Sequence, residues 1–167
     1  MLDPFLAIDF ETANSASDSA CSIGLVRGEA GKIVEEQMHL IRPPSSWFQF
    51  TEIHGLTWEH VKDALSFEGV WKKIEPLFRD VSFVAAHNAG FDRKVLETCC
   101  ARYGIEAPKH PYICTVQLAR KTWGIYPTRL PNVCQTLGIE LNHHEALSDA
   151  RACAKIVIAA QTSPRMT

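Results

Sequence analysis

The sequence predicts an α/β layer fold built as a single domain. Three observations carry that expectation. Up to Ile41 the chain holds three runs with strand character, and beyond Val81 short strand-like runs alternate with segments of helical periodicity. Nearly half of the 167 residues are apolar, with no internal repeat or low-complexity stretch, so a sizeable core can form. That length suffices for one well-buried domain and not comfortably for two, which gives a domain over 1–162 and a flexible tail over 163–167.

The elements follow in order. Phe5 to Phe10 reads as a strand whose period of two puts Phe5, Ala7, Asp9 and Glu11 on one face and Leu6, Ile8 and Phe10 on the other. Cys21 to Arg27 and Lys32 to Ile41 read as two more strands, joined by a hairpin turn at Gly28-Glu29-Ala30-Gly31. Pro43-Pro44 ends the third. Thr57 and Ser66 stand where caps belong, before helices over Trp58 to Ala64 and Phe67 to Phe78. Val81 to Ala86 is a fourth strand, followed by a helix from Phe91 to Tyr103 that Asn88 is placed to cap. Tyr112 to Cys114 is a short fifth strand. Helices over Val116 to Thr122, Pro131 to Leu137 and Ala146 to Ala160 complete the chain.

Charge and cysteine content exclude several roles. A formal net charge of −2 argues against a protein that coats nucleic acid electrostatically, though not against one that grips a few nucleotides at a strand end. The six cysteines contain no Cys-x-x-Cys pair, which argues against a zinc knuckle, and adjacent Cys99 and Cys100 cannot bridge each other on a helix. Free buried thiols in a reducing cytosol are the expectation, hence a cytoplasmic location. The N-terminus lacks the basic and apolar regions of a signal peptide, and the longest apolar runs are too short to span a membrane.

Chemistry concentrates in three clusters: Asp9-Phe10-Glu11 at the end of the first strand, Asp92 in His87-Asn88-Ala89-Gly90-Phe91-Asp92, and His144 with Asp149 five residues on. Aspartate is disfavoured in strands, so Asp9 within an apolar run needs a reason. Asp92 shares a helical stripe with Val95, Leu96, Cys99 and Tyr103, and Asp149 shares one with Ala146, Ala152, Cys153 and Ile156. Burying an unpaired charge on such a stripe costs several kcal/mol, far beyond the roughly 0.3–1 kcal/mol that a helix N-terminus returns. Cations between the carboxylates resolve the conflict. Small residues at Ala146, Ala150, Ala152, Cys153 and Ala154 allow the last helix to approach the sheet closely and bring Asp149 to Asp9 and Glu11. Four hard carboxylate ligands and one imidazole are what a two-magnesium phosphodiester hydrolase requires.

These residues, in this order, resemble the DEDDh 3′→5′ exonucleases, and the resemblance runs from about Phe5 to about Ala160. Asp9 and Glu11 match the first motif of that family, Asp92 the second, and His144 with Asp149 the third. The resemblance implies a ribonuclease H-like fold with a five-stranded mixed sheet flanked by helices. It also implies the roles. Asp9, Glu11 and Asp149 hold one Mg2+ beside the attacking water. Asp9 and Asp92 hold a second ion beside the leaving oxygen, and Mn2+ substitutes for Mg2+. His144, on a mobile loop, takes the proton from water; family position separates it from His143, because only His144 has the His-x4-Asp spacing. Nearby carboxylates are expected to raise the pKa of His144 in the metal-free protein.

Substrate contacts come from the same resemblance. The backbone at Thr12 meets the terminal 3′-hydroxyl, His87 and Asn88 lie near the terminal nucleotides, and apolar side chains of Ile53-His54-Gly55-Leu56-Thr57 wedge against the last base, with His54 and Leu56 among the contacts. Relatives commonly continue with Thr-Gly where this chain has Thr12-Ala13-Asn14. Of the upstream aromatics Trp47, Phe48 and Phe50, at least two are expected to cover the sheet. Cys114-Thr115 and the segment His143 to Asp149 look nearest to proofreading-like and exonuclease X-type enzymes, which favours DNA over RNA as the bound 3′ end, and a polymerase or repair protein as partner. A 3′→5′ exoribonuclease of the same fold and a non-catalytic polymerase-docking or nucleic-acid-binding module are the alternatives.

Overall fold

The computed structural model describes residues 2–164. β1 (Phe5–Thr12) is the middle strand of a five-stranded sheet ordered β3-β2-β1-β4-β5, with β2 at Ala20–Glu29, β3 at Lys32–Leu40, β4 at Phe83–Ala86 and β5 at Tyr112–Cys114. β1 pairs antiparallel with β2 and parallel with β4, so the sheet is mixed and the strand order reverses at β1. Clefts outside the carboxyl ends of strands at such a reversal are where α/β sheets bind ligands. The expected ribonuclease H-like architecture is present.

Two layers cover the sheet, and the period of two decides which side chains meet which. Leu6, Ile8 and Phe10 pack with Phe67, Val70 and Ile74 of α3 (Phe67–Ile74) and with Val95, Leu96 and Cys99 of α4 (Ala89–Arg102). Phe5 and Ala7 face the other way, against Ala150, Cys153, Ala154 and Val157 of α7 (Ala146–Thr162). Burying each large aliphatic or aromatic side chain contributes roughly 1.5–3 kcal/mol. α5 (Thr115–Trp123) and α6 (Leu130–Leu137) add a smaller cluster with Ala152 and Ile156 on the outer side of α7.

Several boundaries differ from expectation. β1 runs on to Thr12 because pairing with β2 continues through Glu11 opposite Ser22. A four-residue helix, α1 (Thr51–His54), is closed by Gly55 in the left-handed conformation at φ 77°, where a side chain would be strained. The next helix is shorter than expected, α2 at Trp58–Val61. The expected helix over Phe67 to Phe78 divides into α3 and a 3₁₀ turn over Glu75–Phe78, because Pro76 lacks the N–H that would continue it. Asn88 occupies the position before α4 with φ 69°, but its side chain makes no capping bond, contrary to expectation. Of the expected tail, Ser163 and Pro164 follow the end of α7, and 165–167 lie outside the described residues. Among the described residues the six cysteines are free, and no helix is long and apolar enough to cross a membrane.

Candidate active site

The site begins at the carboxyl end of β1. Asp9 and Glu11 lie on the α7 face of the sheet, in line with Phe5 and Ala7. The strand residue paired with Asp9 is Gly24 of β2. A Cβ at Gly24 would lie 2.2 Å from the carbonyl oxygen of Ala146, so only glycine lets the first turn of α7 rest directly on the strand. Asp149 follows Ala146 by one helical turn and is thereby delivered to Asp9 and Glu11. One ligand atom from each of these three carboxylates lies within 4.8 Å of the others.

Asp92 arrives from the opposite layer. It sits in the first turn of α4, is 2% exposed, and its Oδ1 accepts the Phe10 N–H at 2.9 Å. That bond fastens α4 to the end of β1. Three carboxylates converge, and Asp92 adjoins them with one oxygen already engaged.

Burial dominates the electrostatics. It raises the pKa of Asp9 well above the usual carboxylate range, and Asp92, Asp149 and Glu11 add to the effect. Glu11 is pushed up to about 8 by burial, then by Asp149 and Asp92. Asp92 reaches about 8 through burial, although backbone N–H groups oppose the rise. Asp149 is raised by burial, against a hydrogen bond from His143. Asp9 Oδ2 is buried and finds no hydrogen-bond partner among the described residues. A buried oxygen without a donor, beside carboxylates that repel one another, fits a divalent cation with hard oxygen ligands.

His143 and His144 lie on the loop before α7. The backbone N–H of His144 donates to Asp149 Oδ2 at 3.2 Å, and His143 Nδ1 donates to Asp149 Oδ1 at 3.2 Å. The two rings stack with centroids 3.7 Å apart. His144 holds φ 68°, a strained conformation that bends the loop over the carboxylates. Its pKa is lowered by burial and by His143, which outweigh Asp149. The expectation of a raised value is corrected: the neighbouring imidazole and partial burial act against the charged form more strongly than the carboxylate favours it.

A cleft of about 300 Å³ opens over the carboxylates, lined by Asp9, Glu11, Phe50, Ile53, Phe91 and His144 among others. Ile53 and Phe91 are exposed there, at 51% and 46%. Phe91 was not singled out from the sequence; the available signal is a large apolar residue immediately before the Asp92 carboxylate. Leu56 lines an adjoining cavity of about 290 Å³ that shares Glu11, His54 and His144 with the first. His54 does more than line the cleft. Its Nδ1 accepts the Leu56 N–H at 3.0 Å and its Nε2 donates to the Thr12 carbonyl at 2.9 Å, which pins α1 to the end of β1. Thr12 itself is buried, 6% exposed.

One expected contact and one expected packing are placed differently. His87 points into the protein: Nε2 donates to the Thr128 carbonyl at 2.9 Å and Nδ1 accepts from the Thr115 hydroxyl at 2.8 Å. Neither ring nitrogen is left for a nucleotide, so His87 is a structural link between β4, α5 and the loop before α6. Of the three upstream aromatics, only Phe48 joins a buried cluster, with Ala13, Cys21 and Val61. Trp47 is 59% exposed and Phe50 borders the cleft. Asn88 is exposed beside the start of α4.

The fold places the chain among ribonuclease H-like nucleases, and its converging carboxylates are a ligand set suited to divalent cations. The model of the exonuclease family matches residues 6–157, and the chain belongs to that family. Enzymes of the family generally use divalent metal ions. The chain is 36% identical over 140 residues to exodeoxyribonuclease 10 of Escherichia coli strain K12, covering 77% of this chain and 56% of that protein. It is 32% identical over 158 residues to a PolC-type DNA polymerase III of Thermotoga maritima, covering 92% of this chain and 12% of the polymerase. This chain therefore spans about half of one relative and a small part of the other. Among solved structures, exonuclease X in complex with 5′ overhanging duplex DNA superposes with a TM-score of 0.78 at 28% identity, over 98% of this chain and 94% of that one. E. coli exonuclease I in complex with a dT13 oligonucleotide shares the fold, with a TM-score of 0.82 at 18% identity over 96% of this chain and 41% of that one.

Proposed function

We propose that this chain is a 3′→5′ exonuclease that hydrolyses phosphodiester bonds of DNA and releases nucleoside 5′-monophosphates. The observation that carries the reading is the convergence of Asp9, Glu11 and Asp149 next to Asp92, with an unpartnered buried oxygen on Asp9. When bound, two divalent cations, Mg2+ or in its place Mn2+, supply positive charge at the scissile phosphate and acidity to the attacking water. Asp9, Glu11 and Asp149 would hold one ion, and Asp9 with Asp92 would hold the other. His144 accepts the water proton at a ring nitrogen, for which its lowered pKa keeps the base form present at neutral pH. Phe50, Ile53 and Phe91 offer apolar surface to the terminal base, and aromatic stacking on a base is worth about 1–3 kcal/mol. Thr12, His54 and Leu56 line the space offered to the terminal nucleotides, and Asn88 is exposed beside the start of α4.

DNA as substrate is supported by the similarity to exodeoxyribonuclease 10 and to exonuclease X in its DNA complex. Similarity to PolC-type polymerases makes a polymerase the partner to seek by co-purification. The test of activity is digestion of DNA and RNA oligonucleotides labelled at either end, with Mg2+, Mn2+ or chelator. A 5′-labelled DNA strand should shorten stepwise from its 3′ end in either metal and remain intact in chelator. Digestion from the 5′ end, or undiminished cleavage in excess chelator, overturns the reading. Preferred digestion of RNA replaces it with the exoribonuclease.

A further inference from the structure

We propose that His143, His144 and Asp149 form a second metal site, inhibitory and selective for a borderline-soft divalent cation, Zn2+ above all. One donor atom from each of the three residues lies within 4.8 Å of the others. His143 Nδ1 and Asp149 Oδ1 are already 3.2 Å apart. Ligands about 2.0–2.1 Å from a tetrahedral Zn2+ are separated by about 3.3 Å, so the spacing of this pair suits the ion, which takes the place of the proton that His143 Nδ1 donates to Asp149. The two rings stack with centroids 3.7 Å apart and planes 28° apart, so the second imidazole lies within reach and a turn of the His144 ring aims its nitrogen at the ion. His143 stays accessible, with 36% of its side chain exposed, so an ion can enter from solvent. Three protein ligands leave a fourth position for water.

The donor set separates this site from the one over Asp9 and Glu11. Two imidazoles and one carboxylate suit Zn2+, whereas Mg2+ prefers all-oxygen octahedral surroundings and gives up water reluctantly. Mn2+ stands lowest in the affinity order of first-row ions, so Zn2+ outcompetes it at the histidine site. Asp149 belongs to both sets. A cation held by His144 occupies the lone pair that would accept the water proton, and it competes for a ligand of the working ion. Under the proposed function the consequence is loss of turnover while Mg2+ is still in excess.

The inhibition rests on the exonuclease reading, but the binding does not, and the test separates them. Co2+ is added to the metal-free full chain as a spectroscopic probe. Intense visible absorption typical of four-coordinate Co2+ should appear, resist excess Mg2+ and vanish on adding Zn2+. The band should persist in Asp9→Asn and be lost in His143→Ala, whose exposed loop position spares the fold. In oligonucleotide digestion at fixed Mg2+, His143→Ala should need at least about tenfold more Zn2+ for half inhibition, each variant measured against its own zinc-free rate. A Co2+ band that survives His143→Ala, or that disappears in Asp9→Asn, places the ion on the carboxylates and overturns the proposal. So does equal zinc sensitivity of wild type and His143→Ala. A wild-type chain without nuclease activity sinks the exonuclease reading alone and leaves the spectra to decide the metal site.

Discussion

Asp9 shows at the scale of one residue why this site costs stability before a cation arrives. Its Oδ2 is buried without a donor among the described residues, and burial with three neighbouring carboxylates raises its pKa. Asp9→Ala or Asp149→Ala therefore removes a metal ligand and a source of repulsion together. Turnover should fall to near background, while the melting temperature in chelator holds or rises. Wild-type rates in either variant would show that the site is misassigned. His144→Ala should lose about 10²–10⁴-fold in rate, the usual share of a general base, while still binding Mg2+. The wild-type rate should decline as pH falls through a His144 pKa that lies below its ordinary value, and the variant should lack that limb. An identical acid limb in the variant would assign the limb to the carboxylates. The residues themselves were legible in the sequence, since Asp9 interrupts an apolar strand and Asp92 and Asp149 interrupt apolar stripes. The direction of the His144 shift was not, because it depends on a ring stacked 3.7 Å away that no spacing rule places.

The elements matter here chiefly through how closely they approach. α7 carries Asp149, and its distance from the sheet is set by Gly24, where a Cβ would meet the Ala146 backbone at 2.2 Å. Gly24→Ala should push the start of α7 outward, cost about 1–3 kcal/mol by overpacking, and lower the rate about 100-fold through misplacement of Asp149. The check is a denaturant titration beside steady-state rates; a stable variant with an unchanged rate would mean that the helix start is free to shift without moving the carboxylate. Small residues on α7 announced the close approach in the sequence, but its partner Gly24 did not stand out, because a glycine in a strand has many causes. α1 was illegible for a different reason: four residues are too few to show a period, and tertiary bonds through His54 hold it. His87 was expected at the nucleotides by resemblance, whereas partners 28 and 41 residues away, Thr115 and Thr128, turn it inward.

At the scale of the whole molecule, the site links folding to protons and cations. Glu11 and Asp92 have folded-state pKa values near 8 against ordinary values of 4.5 and 3.8. Between those limits the native metal-free protein binds more protons than the unfolded chain, so these groups make stability fall as pH rises. Their stabilising contribution is complete below about pH 4 and lost by about pH 8. His54, His87 and His144 act in the opposite sense, since their lowered pKa values make stability rise as pH climbs toward about 6.5. A single melting curve against pH therefore mixes the two. The comparison that isolates the carboxylates is the difference between melting temperatures with Mg2+ and with chelator, because histidine terms common to both conditions cancel. Cation binding requires ionised carboxylates, releases their protons and stabilises only the folded state. The difference should be small near pH 5, widen steadily to about pH 8 and then level off. Far-UV circular dichroism in chelator should stay native throughout, because a domain with a core on both faces of its sheet does not need the ion to fold. In Asp9→Asn, which removes one charge and one ligand, the widening should be markedly smaller. A difference that is constant across pH, or that narrows as pH rises, would mean that the cation does not bind at the raised carboxylates.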